Sequence, residues 1–452
     1  MPLRLSEAAL GEVRSMLKLA VPVVMAEIGW FAMSIVDTVM VGPLGPAAIG
    51  AVGTGSIMFM TLMVFGFGTL LALDTFVSQQ FGAGRIDECH RWLFAGLQLA
   101  LVLSVGLMLA SALGVALLPA VGFHPEVLTQ LKAYARPLMW SAPPLLAYVV
   151  FRRYLLAMNI VRPVMVALLA ANAVNLLGNW ALIYGHLGLP AMGIAGSAYA
   201  TVAARLVLAV SLLAVILFIE RGTPSGLHDV PFRWERERVG RIFRLGWPAA
   251  LQITLEVGVF AAASALAARI GPTASAANQV VLNIAGLIFM IPFGVGSATA
   301  VRVGQAIGRR DLTGMRRAGW TGLALGSIVM AGSAVLFFTV PAALIRFYSS
   351  DPGVIELGIV LLFICSVFQL FDGLQTVATG ALRGLGDTRT PMVFNLIGHW
   401  LIGLPIGYVL CFNRGWGVAG LWAGLSIGLI LIGASLLFTW KVKSRANVLV
   451  ED

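Results

Sequence analysis

The sequence predicts an all-α polytopic membrane protein with twelve transmembrane helices arranged as two six-helix bundles. Of the 452 residues, 59% are hydrophobic and only 11% are charged, whereas roughly a quarter of the residues in a soluble domain carry charge. Apolar runs of about twenty residues, the length that crosses a bilayer, recur along the whole chain. The second half of the chain also repeats the first, and little sequence is left for a soluble domain.

The apolar runs, taken in order, give twelve predicted spans. They are centred near residues 28, 62, 105, 145, 174, 206, 256, 289, 330, 369, 402 and 429. Lys and Arg are enriched in the cytoplasmic loops of membrane proteins, and 24 of the 30 basic residues fall on one side of the predicted spans. The pattern therefore predicts a multi-pass protein of the cytoplasmic membrane, with both termini in the cytoplasm.

A polar stretch at residues 220–241 divides the chain nearly in half and is predicted to be a cytoplasmic linker. Shifting one half over the other by 226 residues aligns LKLAVP with FRLGWP and SQQFGAGR with GQAIGRRD. The halves are therefore predicted to be two lobes, residues 1–219 and 242–452. Because each lobe has six crossings, the lobes have the same orientation and are expected to be related by a pseudo-twofold axis along the membrane normal, with a cleft between them.

Charge and motifs exclude several other classes of protein. The net charge of +10 is attributed to the loops, so no nucleic-acid partner is expected. All four lysines lack the preceding glycine of a phosphate-binding loop, and the five histidines form no HExxH motif. The three cysteines contain no CxxC pair. The sequence therefore predicts neither an enzyme nor a bound cofactor.

Five acidic residues fall within the apolar runs: Glu27, Asp37, Asp74, Glu256 and Asp372. A charge at the bilayer centre costs roughly 2.5–3.5 kcal/mol on insertion scales, so such residues usually face a bundle interior or a wet cavity. Arg205 is the only base predicted to lie in a span, so the acids are expected to hold protons, Na⁺ or a cationic substrate. The alternative is that neutral acids lock helices together. The sequence assigns no role to Glu27 or Asp74.

Amide and hydroxyl side chains share helix faces with these acids. Gln369 and Thr376 lie within about one turn of Asp372 on the same face of span ten. An asparagine stripe in span five is positioned to meet Asp37, and span eight carries a second amide pair. The members of these two stripes are Asn172, Asn175 and Asn179, then Gln279 and Asn283. For amides alone, interhelical hydrogen bonding is as good an explanation as ligand contact.

Several segments carry a wider pattern in a fixed order. They are IVDTVMVG in span one, ALDTFVSQQFGAGR after span two, LEVGVF in span seven and FDGLQTVATGALRGLGDTRTP from span ten. Together they resemble the multidrug and toxic compound extrusion (MATE) transporters, specifically the NorM-type branch, over nearly the whole chain. The resemblance implies two lobes around a V-shaped cleft. It also implies an antiporter that exports cationic, amphipathic drugs by alternating access, driven by inward H⁺ or Na⁺.

The same resemblance implies roles for individual residues. Asp37 corresponds to the first-lobe coupling acid, and Asn175 and Asn179 correspond to its partners. Glu256 and Asp372 correspond to the coupling acids of the second lobe. The residues expected to contact the substrate are Glu256, Asp372, Gln279, Asn283, Gln369 and Thr376.

The resemblance also bears on the coupling ion and the partners. A bound Na⁺ would lie at Glu256 and Asp372. NorM-type cation sites often carry a tyrosine one turn before the acid of span ten, whereas Phe368 stands here, so H⁺ is preferred. The expected partners are a small cationic substrate and the lipid bilayer, and the protein is expected to be a monomer without an obligate protein partner.

Two functions of other classes stay open. A flippase for a lipid-linked saccharide has the same superfamily architecture, but its anionic pyrophosphate lipids favour a cationic cleft, and here the predicted cleft acids outnumber the bases. A membrane-embedded enzyme would need a metal or nucleophile cluster. His399 lies alone in a span beside Trp400 and is expected to be a packing or hydrogen-bonded residue outside the site.

Overall fold

The computed structural model describes residues 7–121, 124–221, 227, 230, 231 and 233–445, and all the regular structure in these residues is helical. Helices suit an apolar chain in lipid because each satisfies its backbone hydrogen bonds within itself. The helices are α1 Glu7–Val41, α2 Pro46–Leu70, α3 Ala72–Gly82, α4 Ile86–Leu117, α5 Pro125–Leu138, α6 Ala142–Ala157, α7 Arg162–Tyr184, α8 Ile194–Glu220, α9 Arg236–Ile270, α10 Pro272–Gly308, α11 Leu312–Thr339, α12 Pro341–Arg346, α13 Pro352–Gly384, α14 Arg389–Asn395, α15 Leu404–Tyr408 and α16 Gly417–Arg445.

Eleven helical segments in the described part of the chain are long and apolar enough to cross a membrane, which confirms the predicted all-α class with many spans. The remaining one of the twelve predicted spans, centred near residue 145, consists of α5 and α6, which are separated by a 3₁₀ turn at Met139–Ser141. Pro143 and Pro144 lie in the first turn of α6. Proline is tolerated there because the first N–H groups of a helix need no acceptor within it.

The chain forms two compact units. The first unit is Met25–Ala250, and its buried apolar core runs through α2 and α4 to α8. The second unit combines Met1–Val24 with Leu251–Asp452, and its central helix is α13, which packs against α10, α11 and α16. Helices α10 and α13 approach closely at Gly296, where an added Cβ would lie 2.9 Å from the carbonyl oxygen of Thr376. Small residues permit such backbone contact between membrane helices.

The division between the units falls inside two long helices. Helix α1 belongs to the second unit as far as Val24, and α9 belongs to the first unit as far as Ala250. The lobes predicted as residues 1–219 and 242–452 rest on the polar linker and the sequence repeat, and their boundaries stay a prediction.

Proline marks both divided helices. Pro22 in α1 and Pro248 in α9 occupy equivalent positions of the sequence repeat, and each lies two residues before the end of its segment. A proline removes one backbone hydrogen bond and allows a helix to bend. The segment before Pro22 is held in its unit by Arg302 of α10, whose guanidinium donates to both carboxylate oxygens of Glu12, at 2.9 and 2.7 Å.

Candidate functional site

Asp37, in α1, lies in a cage of hydrogen-bond donors within the first unit. Asn175 and Asn179 are one turn apart on α7, so their amides share a face. The Nδ2 atoms of both residues donate to Asp37 Oδ1, at 2.9 and 2.7 Å. Thr201 Oγ1, in α8, donates to Asp37 Oδ2 at 3.0 Å. The asparagine stripe thus contacts Asp37, as its spacing predicts, whereas Thr201 is a contact that sequence reasoning missed.

A cavity of about 50 Å³ lies beside this cage. Its polar lining includes Asp37, Thr201, Tyr134 and Arg205. One water molecule needs at least about 10–15 Å³, so the cavity has room for a few waters. Pockets for drug-sized ligands are larger, at roughly 300–1,000 Å³. The cavity therefore suits a proton, water or a small ion rather than an amphipathic drug.

The second unit contains a separate pair of acids, Glu256 in α9 and Asp372 in α13. Gln375 Nε2 donates to Glu256 Oε1 at 3.0 Å. Asp372 is 8% exposed, and it has neither a hydrogen bond nor an ion pair with the residues that the structure describes. The charged group that acts on Asp372 electrostatically is Glu256. Glu256 faces the amides of Gln375, Asn395 and Gln252, whereas Asp372, in contrast to Asp37, has no donor among the described residues.

Buried polar atoms without a hydrogen-bond partner cluster on the helices around this pair. Across the described ranges they include Gln369 Nε2 and Thr376 Oγ1 of α13, both amide atoms of Asn395 and both ring nitrogens of His399. Asn395 faces Glu256 without reaching hydrogen-bond geometry. The large majority of buried polar atoms in native proteins have a partner. The cluster therefore indicates where water, an ion or a substrate completes the hydrogen bonding.

A π-helical segment, Leu396–Gly403, carries part of this cluster. Such segments are rare and frequently occur at functional sites. Within it, Trp400 Nε1 donates to the carbonyl oxygen of Leu255 at 3.0 Å, which fixes α9 next to Glu256. His399 is fully buried in the same segment, so the structure gives this residue an unpaired polar side chain where the sequence predicts packing or a hydrogen bond.

The amide pair of span eight, Gln279 and Asn283, forms its own hydrogen bond, and its predicted contact with substrate stays a prediction. Gln279 is exposed, and its Nε2 atom donates to Asn283 Oδ1 at 3.4 Å. The preceding residue, Asn278, is buried instead, where it donates to Ser264 Oγ at 3.0 Å and accepts from Trp422 Nε1 at 2.9 Å. Neighbouring residues of a helix point about 100° apart, so Asn278 and Gln279 lie on different faces of α10.

The prediction that Arg205 is the only base inside a span is wrong. Arg152 and Arg153, predicted to lie in a cytoplasmic loop, are in α6 and are 7% and 5% exposed. Arg152 forms an ion pair with Glu27, and Arg153 Nη1 lies 3.3 Å from Asp74 Oδ2. Two of the five predicted membrane acids therefore have a fixed basic partner. Short α6 explains the error, because a pair of arginines beside a short apolar run resembles the end of a span.

The next residue of α6 continues this network. Tyr154 OH lies 2.8 Å from Nδ1 of the buried His90 and donates to Glu220 Oε1 at 3.3 Å. His90 Nε2 in turn lies 3.2 Å from Glu220 Oε2. We call the three consecutive residues Arg152, Arg153 and Tyr154 the α6 hub. The hub binds side chains of α1, α3, α4 and α8, so it joins half the helices of the first unit.

Replacing Arg152 by Met is expected to destabilise the protein by about 3–5 kcal/mol, because the buried Glu27 carboxylate loses its partner. The double variant Arg152→Met/Glu27→Leu removes both charges and is expected to recover most of this loss, since apolar side chains often replace a buried ion pair without cost. Denaturant unfolding in detergent measures the stability of the single and the double variant. The control is Arg14→Met, which changes an exposed arginine. A double variant no more stable than Arg152→Met would contradict the pairing.

Comparison with known proteins identifies what the chain is similar to. The MatE family model matches residues 22–181 and again residues 248–409. The two matches begin 226 residues apart, which is the offset of the internal repeat. A relative named probable multidrug resistance protein NorM, from Mesorhizobium japonicum, is 34% identical over 96% of this chain and 94% of its own length.

Solved structures with the same fold are more distant in sequence. The eukaryotic MATE transporter AtDTX14 is 20% identical, with a TM-score of 0.86 over 98% of this chain and 99% of that chain. A MOP superfamily transporter from Pyrococcus furiosus, for which the reverse polarity of the binding pocket suggests a different function, is also 20% identical, with a TM-score of 0.86 over 96% of both chains. At this identity the likeness concerns the fold, and a fold hosts different functions.

Proposed function

Because the chain belongs to the MatE family of multidrug and toxic compound extrusion transporters, we propose that it is a secondary active antiporter that exports cationic, amphipathic molecules by alternating access. The coupling ion in this proposal is H⁺, with Na⁺ as the alternative. One observation carries the proposal. The acids Glu256 and Asp372 of the second unit influence each other electrostatically and have no ion-pair partner among the described residues, and several polar atoms on the surrounding helices are unpaired.

Such a pair favours a cationic guest for electrostatic reasons. Two ionised carboxylates in an apolar interior lose hydration and repel each other, and burial of an unpaired charge is costly. A proton, a metal ion or the positive end of a drug relieves both effects at Glu256 and Asp372. Because the same acids serve each cation, binding of the coupling ion weakens binding of the drug. That competition is the basis of antiport.

The neighbouring side chains support H⁺ over Na⁺ at this pair. Phe368 occupies the position one turn before Asp372, and its ring stacks on Trp422 with a centroid distance of 5.8 Å. A phenyl ring supplies no oxygen to a hard cation, which prefers oxygen ligands. In this proposal Gln369 and Thr376 bind substrate beside the acids. Gln279 and Asn283, which form their own hydrogen bond, remain proposed substrate contacts.

Asp37 is proposed to be a second coupling site in the first unit. Its cage of Asn175, Asn179 and Thr201 supplies three neutral donors to the carboxylate. These donors stabilise the ionised form after the coupling proton has left. The adjacent cavity gives water, and hence protons, access to the carboxylate.

The chain is a multi-pass membrane transporter with a small-molecule substrate. We further propose that it lies in the cytoplasmic membrane with both termini in the cytoplasm, because its basic residues are concentrated on one side of the spans. A monomer without an obligate partner, a cofactor or nucleic acid remains part of the proposal.

The alternative function is a flippase for a lipid-linked saccharide. Such a lipid carries an anionic pyrophosphate, which would meet repulsion from Glu256 and Asp372. The Arg205 cavity is too small for a lipid headgroup of this kind, at about 50 Å³. The acid pair therefore favours export of cations.

Proteoliposomes with separately imposed gradients test the proposed function. A monovalent cationic dye is expected to leave vesicles when the outside is acidic, and an inward Na⁺ gradient at equal pH is expected to add little. The Asp372→Asn variant serves as the control for passive leak. Dye movement that ignores both gradients, together with transfer of a fluorescent lipid-linked saccharide between leaflets, would replace the antiport proposal by the flippase.

A further inference from the structure

Arg205, in α8, is a buried base that the proposed function leaves unused. It is 4% exposed, and its Nη1 atom donates to Ser141 Oγ at 2.5 Å. Its guanidinium lies over the ring of Phe59, 4.8 Å from the centroid, and near that of Trp30, at 5.7 Å. The Nε atom has no hydrogen-bond partner among the described residues, and the guanidinium forms no ion pair with a described carboxylate. A buried guanidinium without a carboxylate partner is unusual, because Arg is seldom buried unless it is paired.

The acid that faces this guanidinium lines the same small cavity. Arg205 is one turn beyond Thr201 on α8, so one helix face presents a guanidinium and the hydroxyl that binds Asp37. Asp37 and Arg205 both line the cavity of about 50 Å³. The two charges are therefore separated by a space that holds a few water molecules, and they attract each other through it.

We propose that Arg205 is the fixed counter-ion of Asp37 and that it restricts the cation bound at Asp37 to a proton. This inference rests on the proposed function, in which Asp37 is a coupling acid. A proton binds on a carboxylate oxygen and needs no volume in the cavity. A metal ion would occupy the cavity itself, between the carboxylate and the guanidinium, where Arg205 repels it.

The cage of Asp37 also disfavours a metal ion. Both carboxylate oxygens accept hydrogen bonds, from Asn175 and Asn179 at one oxygen and from Thr201 at the other. Their N–H and O–H groups present hydrogens to the carboxylate, whereas a hard cation needs oxygen ligands around it. Metal binding would require these side chains to rotate away from the carboxylate. Protonation of Asp37 leaves the amides within hydrogen-bond distance of it.

Few other groups can titrate here. The described residues that line the cavity come from α1, α2, α5 and α8, and the ionisable ones are Asp37, Tyr134 and Arg205. Helix α7 contributes the neutral amides of the cage. Tyr134 OH lies 3.0 Å from Ser56 Oγ, and a phenol is uncharged at neutral pH. A change in pH dependence after substitution of Arg205 is therefore assigned to Asp37.

The direction of that change follows from charge. Removing a positive neighbour favours the neutral, protonated form of Asp37, so Arg205→Met is expected to move half-protonation of Asp37 to higher pH. Arg205→Lys keeps the charge and is expected to stay close to the parent. In the Asp37→Asn background this carboxyl group is absent. There, Arg205→Met is expected to cause no shift in carboxyl protonation with pH.

Infrared difference spectroscopy of the purified full-length protein tests this without any transport assay. The carboxyl band of protonated Asp37 is identified by its loss in Asp37→Asn and is followed against pH in each variant, with and without Na⁺. The proposal expects the alkaline shift in Arg205→Met, and a fall of the band on Na⁺ addition in that variant only. The carboxyl band is measured in purified protein without any transport step. A failed antiport assay would therefore not affect the conclusion about Arg205 and Asp37.

Three outcomes would overturn the proposal. One is an unchanged titration of Asp37 in Arg205→Met, and another is an equal shift in Arg205→Lys. The third is Na⁺ displacing the proton from Asp37 in the parent protein. If Arg205→Met does not fold, Arg205→Gln is used under the same criteria, because its amide can still donate to Ser141.

Discussion

Export driven by an ion gradient is expected to be lost when Asp372 is replaced by Asn or Glu256 by Gln. Each amide has nearly the shape of the acid, so the contact with Gln375 can persist. An amide, however, neither exchanges a proton nor neutralises a cation at this depth. Initial dye efflux is expected to fall to the leak of protein-free vesicles, a loss of at least about tenfold.

The control for these variants is Glu356→Gln, which changes an exposed acid on the same helix, α13. It is expected to export at the parental rate. Thermal unfolding in detergent verifies that all the variants are folded. If Asp372→Asn and Glu256→Gln exported dye normally, the acids would only hold helices together, and the proposed mechanism would fail.

The second large effect is expected at the cage of the first unit. Asp37→Asn should strongly reduce gradient-driven export while leaving a rate measurable above the leak, and Asn175→Ala and Asn179→Ala should each weaken it. Because the two amides bind the same carboxylate oxygen, their effects should depend on Asp37. A double-mutant cycle on initial rates is expected to give a coupling of about 0.5–3 kcal/mol, the range for residues in contact.

Asn172 provides a matched control for this cycle. It belongs to the same asparagine stripe of α7, but its Nδ2 atom donates to the backbone oxygens of Gly29 and Leu168, at 3.2 and 2.9 Å. Asn172→Ala should therefore combine additively with Asp37→Asn. Additive behaviour of Asn175 and Asn179 as well would show that the cage does not act as one site.

The fold could be predicted from the sequence because lipid leaves few alternatives. A chain without water must satisfy its backbone internally, so every long apolar run becomes a helix. The span near residue 145 shows the limit of this reasoning. Pro143 and Pro144 could be recognised as helix breakers, but whether they bend one helix or separate two depends on packing. The structure contains two short helices there, α5 and α6.

The candidate site could be predicted where few polar residues share one regular face. Asn175 and Asn179 are such a case, because helical spacing alone aims both at one neighbour. The buried Asn278 was missed because its partners depend on how the helix is rotated. Asn278 is buried while Gln279 is exposed, and periodicity in an almost wholly apolar helix does not fix that rotation. Asn395 and His399 border a π-helical segment, whose altered register no α-helical pattern describes.

The α6 hub has a consequence for how the protein is made. Helix α6 is the second part of the span near residue 145, which α5, the 3₁₀ turn and α6 form together. It also carries two arginines, each costing about 2.5–3.5 kcal/mol near the centre of a helix entering the bilayer. The acids that compensate them, Glu27 and Asp74, are synthesised first. Integration of α6 during translation therefore depends on α1 and α3 being retained beside it, so the first unit is assembled in chain order rather than one independent helix at a time.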